Sequence, residues 1–492
     1  MSEARRKNEI ALARYSSQLQ NLLESFRIGI WSDNCNVGAS GFILAEALGE
    51  ILGRFWQKLN VSGAISEIFM TAANQSAQSG GQQSPAIITW NPPYDIVIAI
   101  GTNPPSNSGF GIQVGAYGWQ VTIGSNAFLS DDPNPVGPAA AAALVGAEIF
   151  KRCFADILGD RAKLLPDDYV WSAWDHGHGE SGNVLPLDLN DLHIFGVGAV
   201  THGLLWLLER WPAEVKGILH LIDPDKYDES NGQRYIGMRP GDSGIPKSLR
   251  AADRIRSRHK NLKVLNHDID MNKYFLTKRQ DYNVRLAVVG VDSPEHRRQL
   301  SLKLPLRIVN MWTEEDRLGA SRFGFSDEWP CIFCYYPENT SDNQDETGQF
   351  SKMTKLKPKR VRELLFSSEG LNHDDISIIS SHYNIPDPSA FLNKPLRSII
   401  GNLCAMSTIK LPEAQKEDDV PFAFSSFFAG IGGFVELLHE LYGLCLKPGH
   451  WQLSILNYPT PYSWFPRTRI KDCYLCGDDM VREILENKYK IP

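Results

Sequence analysis

At 492 residues the chain has room for two or three domains, each with its own core. Its 42% hydrophobic and 22% charged residues are ordinary for a soluble globular protein. A net charge of −7 argues against a nucleic-acid partner, which would call for a basic face.

Taken in chain order, residues 1–20 carry charges where a signal peptide needs an apolar core, and read as an amphipathic helix with Leu12, Tyr15, Leu19 and Leu22 on one side. A strand at 26–31, a small-residue turn at 36–41 and a helix at 42–52 follow. The polar, Gly- and Gln-rich stretch 73–84 reads as a loop, and YDIVIAI at 94–100 as a buried strand. The small-apolar run near 138–150 contains Gly146 and Glu148 and is too short to cross a bilayer, so no membrane partner is expected. His176 and His178 have a spacing that suits a metal, but no carboxylate or thiol geometry supports one, and they read as exposed imidazoles in a loop.

The second half repeats the rhythm: a strand at 192–195, a Gly-containing turn, a helix at 204–210, a strand at 217–223, and VRLAVVGV at 284–291. This βαβ pattern predicts a doubly wound, Rossmann-like α/β fold. The first half is a faint echo without the charged residues described below, a degenerate and non-catalytic copy. A polar segment at 339–348 precedes a mostly helical 359–403, interrupted by Pro386 and Pro388. A helix at 422–442, interrupted at Gly430 to Gly433, and a strand at 452–456 come last.

The turn Gly196-Val-Gly198 follows a strand and opens a helix, the place where backbone amides face an anion; Thr201 stands where a third glycine is usual. The next strand ends in Asp223 and Asp225, and an acid there suits a ribose hydroxyl. Asn231, Arg234 and Lys247 follow, and Asp292 ends the 284–291 strand. A nicotinamide site has no need of these cations, whereas a triphosphate with Mg²⁺ does.

The run IDPDKYDESNGQRY, with Lys247 and then Asp292-Ser-Pro-Glu-His-Arg297, resembles the signature of the E1 superfamily, which includes ubiquitin-type activators and the MoeB and ThiF sulfur-carrier adenylyltransferases. The resemblance covers roughly 192–478 and implies an adenylation fold in which Asp223 binds ribose, Asn231, Arg234 and Lys247 embrace the phosphates of ATP, and Asp292 positions Mg²⁺. Departures are Gly232 for Leu, Tyr235 for Gln, Ser293 for Asn and Thr201 in the glycine turn; none removes a charged group. Arg14 lies in a stretch like the one from which the family sends an arginine to a partner site, but Ser17 takes the matching position.

Without an export signal the eight cysteines are expected to be reduced in a cytoplasmic protein. Cys331-Ile-Phe-Cys334 and Cys473-Tyr-Leu-Cys476 are two CxxC knuckles that together can hold a structural Zn²⁺, and the resembled family carries the same split arrangement. Cys404 lies shortly before Leu411-Pro412-Glu413, similar to the crossover loop of E1 enzymes, and is the candidate nucleophile. Cys35, Cys153 and Cys445 read as structural.

The expected organisation is an inactive adenylation-like half at 1–160, an active adenylation domain at 161–334, a helical catalytic-cysteine insertion and crossover loop at 335–411, and the remainder of the active domain at 412–492. The resemblance, closest to compact bacterial activators, implies adenylation of the C-terminal carboxylate of a ubiquitin-like protein, a thioester on Cys404, and transfer to an E2-like conjugating partner, in a setting such as antiviral defence. The chain ends soon after Cys476, which leaves no room for a ubiquitin-fold domain to recruit that partner. Two halves in one chain make a pseudo-dimer and leave a further homodimer open. The rival readings are a sulfur-carrier adenylyltransferase without a thioester, against which the long segment 335–403 argues, and a zinc-stapled scaffold without catalysis, against which Arg234, Lys247 and Asp292 argue.

Overall fold

The computed structural model describes residues 25–34, 37–56, 58–81, 86–88, 90–106, 108–175, 182–278, 282–325, 329–336, 350–351, 353–366, 369–382, 388–396, 399, 421–444, 449–471, 473 and 475–490. These fall into two compact units, one within Met1–Tyr336 and Pro421–Pro492, the other within Pro337–Val420.

The first unit holds two sheets of the same topology. In one, β1 (Ile28–Ser32), β2 (Lys58–Ser62), β3 (Ala86–Ile88), β4 (Tyr94–Ile100), β5 (Gly109–Tyr117), β6 (Gln120–Ile123) and β7 (Tyr169–Ser172) lie in the order 3-2-1-4-5-6-7. In the other, β8 (Leu187–Phe195), β9 (Val215–Ile222), β10 (Leu262–His267), β11 (Leu286–Val289), β12 (Arg307–Glu314), β13 (Arg317–Gly324), β14 (Gly449–Ser454) and β15 (Trp464–Pro466) lie in the order 10-9-8-11-12-13-14-15. In each sheet the first five strands are parallel and the rest antiparallel. The central strands are buried on both faces, which is why their sequences are unbroken apolar runs rather than alternating ones. The N-terminal half is thus a second copy of the Rossmann-like fold.

Helices follow the same plan. After the first strand of each sheet come α1 (Gly38–Leu52) and α4 (Ala199–Glu209); after the second come α2 (Ser66–Ser79) and α5 (Lys247–Arg258). A long apolar helix, α3 (Val136–Cys153), leads into β7, and its counterpart α11 (Ala423–Leu441) leads into β14. α1 packs on α3, α4 packs on α11, and α3 packs on α11, so the two halves join through one shared helical layer. Small residues permit this: α3 is a run of buried alanines, and Gly203 of α4 meets Gly430 of α11 so closely that a Cβ on Gly430 would lie 2.5 Å from Val200 O.

Two sequence expectations change. Residues 73–79 are helical, because Phe69, Met70, Ala72, Ala73, Ser76 and Ala77 form one buried face of α2 beneath its polar side chains. Gly430 to Gly433 do not interrupt α11; they are the contact points at which it meets α4 and β12.

Further helices of this unit include α6 (Met271–Leu276), α7 (Pro294–Ser301), α8 (Ile332–Tyr335) and α12 (Asp479–Tyr489). The second unit contains α9 (Pro358–Phe366) and α10 (His373–His382), closed around a core of its own that includes Leu356, Val361, Leu371, Ile379 and Ile399. Among the described residues no helix is long and apolar enough to cross a membrane.

Candidate functional site

The C-terminal ends of β8, β9 and β11 lie side by side, the edge at which doubly wound sheets bind ligands. Gly196 leaves β8 with φ +86°, a conformation that favours glycine, and a Cβ there would lie 2.9 Å from the Gly290 carbonyl carbon. Gly198 is the N-cap of α4 and no side chain caps it, so the first turn of that helix faces the edge with its amides. Thr201 donates from Oγ1 to Gly196 O at 2.6 Å and so stiffens the turn. Room for it comes from across the sheet: Gly290, at the end of β11, lacks the Cβ that would collide with Thr201 Oγ1.

Asp223, just beyond β9, holds the turn in place. Its Oδ2 accepts from Val197 N at 2.6 Å and its Oδ1 from Asp225 N at 2.8 Å. Burial raises its pKa above the ordinary aspartate value, although Lys247 works in the opposite direction. Lys247, the first residue of α5, is also buried, and its Nζ donates to Asp225 Oδ2 at 3.0 Å. Burial disfavours the ammonium, but Tyr235, once ionised at the high pH where a lysine titrates, and the carboxylates of Asp223 and Asp225 outweigh it and hold Lys247 above the usual lysine range. Asp225 itself is largely exposed.

The residues between these elements form a short 3₁₀ turn, Glu229–Gln233, closed by reciprocal bonds in which Asp228 N donates to Asn231 Oδ1 and Ser230 N to Asp228 Oδ1. Arg234 follows, its guanidinium 5.4 Å from the Tyr235 ring centre; Lys247 Nζ lies 5.5 Å from the same ring. Tyr235 therefore joins the two cations. Arg234 Nη1 is buried with no hydrogen-bond partner among the described residues, and beside Lys247 and the first turn of α4 it can serve an anion.

The structure thus brings Gly196, Gly198, Asp223, Asp225, Asn231, Arg234 and Lys247 to one edge. Asp292 lies beyond the neighbouring strand β11, exposed, with His296 Nδ1 4.0 Å from its Oδ1. Arg297 behind it is structural: its guanidinium donates to Val291 O at 2.6 Å and to Tyr336 Oη at 2.7 Å, fixing the end of that strand. Cys404, Cys35 and Cys445, like Arg14, His176 and His178, lie outside the described residues. Cys153 is buried at the end of α3, where burial pushes its thiol up to about 12.

The four knuckle cysteines meet. Cys331 Sγ lies 3.9 Å from Cys334 Sγ and 3.6 Å from Cys473 Sγ, and Cys334 Sγ lies 3.4 Å from Cys476 Sγ. Thiolates at the corners of a tetrahedral zinc site stand about 3.8 Å apart, so the donor set fits that ion. The knuckle packs on Leu475, Leu485 and Tyr489, which ties α12 to the sheet.

Other groups were not legible in the sequence. Asp191, His193 and His220 approach within 4.8 Å of one another through their ligand atoms, because His193 and His220 are direct partners in the β8–β9 register. Every ring nitrogen of that pair is already bonded: His193 to Asp191 O and Tyr282 Oη, His220 to Asp191 Oδ1 and His267 Nε2. Equally hidden are Glu50 and Arg54 at the end of α1, which reach the turn that carries Asn231. A long-range contact between two helices and a loop leaves no local pattern.

The first copy has the same turn but closes it. Gly38 opens α1 at φ +61°, and Ser40 N donates to Ser130 O at 3.0 Å while Ser130 N donates back to Ser40 Oγ at 2.9 Å. Leu129 lies against Gly41 and Gly101. The chain's own 129–130 segment thus seals this helix end, whereas among the described residues no side chain caps its counterpart at α4.

No family model matches the chain. A curated protein of Sinorhizobium fredii (strain NBRC 101917 / NGR234), described as uncharacterized protein y4jF, is 28% identical over 369 residues, 72% of this chain and 69% of that protein. Among solved structures, E. coli MccB with ATP is similar over 75% of this chain and 98% of its own, at 11% identity and a TM-score of 0.37. E. coli MccB alone is similar over 75% and 96%, at 13% identity and a TM-score of 0.35.

Proposed function

We propose that the chain adenylates a carboxylate at the expense of ATP, as an E1-type activator of a ubiquitin-like protein. The observation that carries this reading is the pairing of the α4 helix start at Gly198 with two cations, Lys247 and Arg234, the second holding a buried donor without a partner among the described residues. A triphosphate supplies the missing acceptors. Asp223 retains lone pairs for ribose hydroxyls, and exposed Asp292 holds Mg²⁺ through one or two oxygens.

In the first step a carboxylate oxygen attacks the α-phosphorus, the bond from that phosphorus to the bridging oxygen breaks, and pyrophosphate leaves. Asn231, Arg234 and Lys247 neutralise the anions that this brings together. In the second step the Cys404 thiolate attacks the acyl carbon and AMP departs, leaving a thioester for an E2-like partner. This finer reading is supported by the likeness of 402–413 to E1 crossover loops and by the length of chain ahead of it. Residues 1–160 then serve as the inactive half, 161–334 and 412–492 as the active domain, and 335–411 as the insertion bearing the nucleophile. Zinc at Cys331, Cys334, Cys473 and Cys476 is structural, since four thiolates leave no open position. A role in bacterial antiviral defence, in the cytoplasm, completes the proposal.

The test is an intact-mass and gel assay with ATP·Mg²⁺ and a ubiquitin-like protein encoded beside this chain, with and without reductant. A thiol-labile adduct absent from Cys404→Ala is expected. Pyrophosphate release with no adduct would sink the thioester and favour a sulfur-carrier type of adenylyltransferase. Neither product, from folded protein, would overturn the adenylation reading itself.

A further inference from the structure

The turn that carries Asn231 and Arg234 is held from outside its own half. Arg54, at the end of α1 and fully buried, donates from Nη1 to Gly232 O at 2.5 Å and to Ser79 Oγ at 3.0 Å, and from Nη2 to Met238 O at 3.4 Å. Glu50, one helical turn earlier, accepts from Arg54 Nη2 at 3.0 Å, from Gly237 N at 3.1 Å and from Arg239. Burial alone would raise the Glu50 carboxyl, but Arg239 and Arg54 outweigh it and keep it well below the usual carboxylate range. Beside them the end of α2 lies directly against the turn. A Cβ on Gly232 would meet Gly80 N at 2.5 Å and Ser79 O at 2.6 Å, which accounts for glycine where the resembled family has leucine.

Three of these bonds go to the backbone of the loop itself, at Gly232 O, Gly237 N and Met238 O. Such contacts set where the 229–239 loop runs, and therefore where Arg234 stands, without reaching a ligand. Among the described residues Arg54 reaches Gly232, Ser79, Met238 and Glu50, so it acts on the loop from behind.

We propose that Arg54 and Glu50 of the N-terminal half are positioning residues for nucleotide binding by the second half, acting through the 229–239 loop on Arg234. This rests on the adenylation reading for its ligand, not for its geometry. The degenerate copy is then part of the working site rather than inert ballast, and an isolated second half would have a misplaced phosphate clamp.

The experiment is a double-mutant cycle on the full chain, reading ATP·Mg²⁺ affinity by calorimetry and loop order by amide hydrogen exchange without nucleotide. Arg54→Lys keeps the charge but loses the fork, and is expected to weaken ATP·Mg²⁺ about tenfold and to speed exchange across 229–239. In an Arg234→Gln background the same change should cost less than twofold, since the residue through which it acts is gone. Independent, multiplying losses would overturn the proposal, as would unchanged exchange in 229–239. Gly232→Ala, which forces the loop off Gly80, must reproduce both effects if Arg54→Lys fails to fold. Wild-type protein that binds no ATP·Mg²⁺ would instead sink the adenylation reading, while the exchange arm would still decide whether Arg54 fixes the loop.

Discussion

Arg234 shows how a single side chain can be poor for the fold and good for chemistry. A buried donor without a partner costs on the order of 1–3 kcal/mol, so Arg234→Gln should leave thermal stability equal or slightly higher. Pyrophosphate exchange should nevertheless fall about 100-fold or more, the scale of losing one charge-stabilising donor. A stability loss without an activity loss would contradict the assignment. Thr201 and Gly290 make a second test. Gly290→Ala drives a methyl into Thr201 Oγ1 and should cost about 1–3 kcal/mol by denaturant unfolding, most of it recovered in the Thr201→Gly, Gly290→Ala double variant. The stacked histidines give a pH signature. Burial and neighbouring His220 hold His193 and His267 down at about 4, below the ordinary histidine value of about 6.5. The unfolded chain therefore binds protons first: their contribution is fully present above pH ~6.5 and is lost as pH falls toward 4. Melting temperature should drop through that window, and less steeply in His193→Gln. At this scale Asp223 stood out in the sequence because it follows the apolar strand β9 directly, whereas Arg234 and Lys247 stood out only by their order after it in the resembled signature. The sequence concealed Tyr235, whose role depends on which cations flank its ring.

At the scale of elements, period decided what could be read. YDIVIAI became β4 to the residue, since an apolar run buried on both faces has one reading in this pattern. The end of α2 was missed because Asn74, Gln75 and Gln78 make up its outer side, while the buried face is carried by Ala and Ser. α11 was broken in two for the opposite reason: glycine weakens a helix locally, but here it is what lets the helix approach α4. Gly430→Ala should therefore destabilise the protein despite a propensity gain of about 1 kcal/mol, because the new methyl meets Val200 O at 2.5 Å. A melting temperature equal to or above wild type would refute that account. The knuckle makes a further prediction at this scale. The C-terminal end of α12 is bonded to the segment just ahead of β12, Tyr489 Oη reaching Leu304 O at 2.7 Å and Lys488 Nζ reaching Lys303 O at 3.1 Å, whereas Leu485 packs on the cysteine cluster. A strong chelator should release one zinc per chain and loosen α12 in hydrogen exchange before the sheets open.

For the whole molecule, the telling fact is that one topology occurs twice with unequal chemistry. The βαβ rhythm made both copies legible. The interlock between them was not, since Arg54 lies 178 residues from Gly232 in the chain. If only the second copy binds, titration with ATP·Mg²⁺ must end at one nucleotide per chain. An end point of two would mean that the first copy's turn opens in solution.

The 129–130 segment seated on α1 is a tethered competitor for whatever that helix end could hold. Being part of the same chain, it is never diluted away. Placing an acid and two cations in the first half should therefore create no second nucleotide site while Ser130 holds the seat, and titration of that variant should still end at one nucleotide per chain.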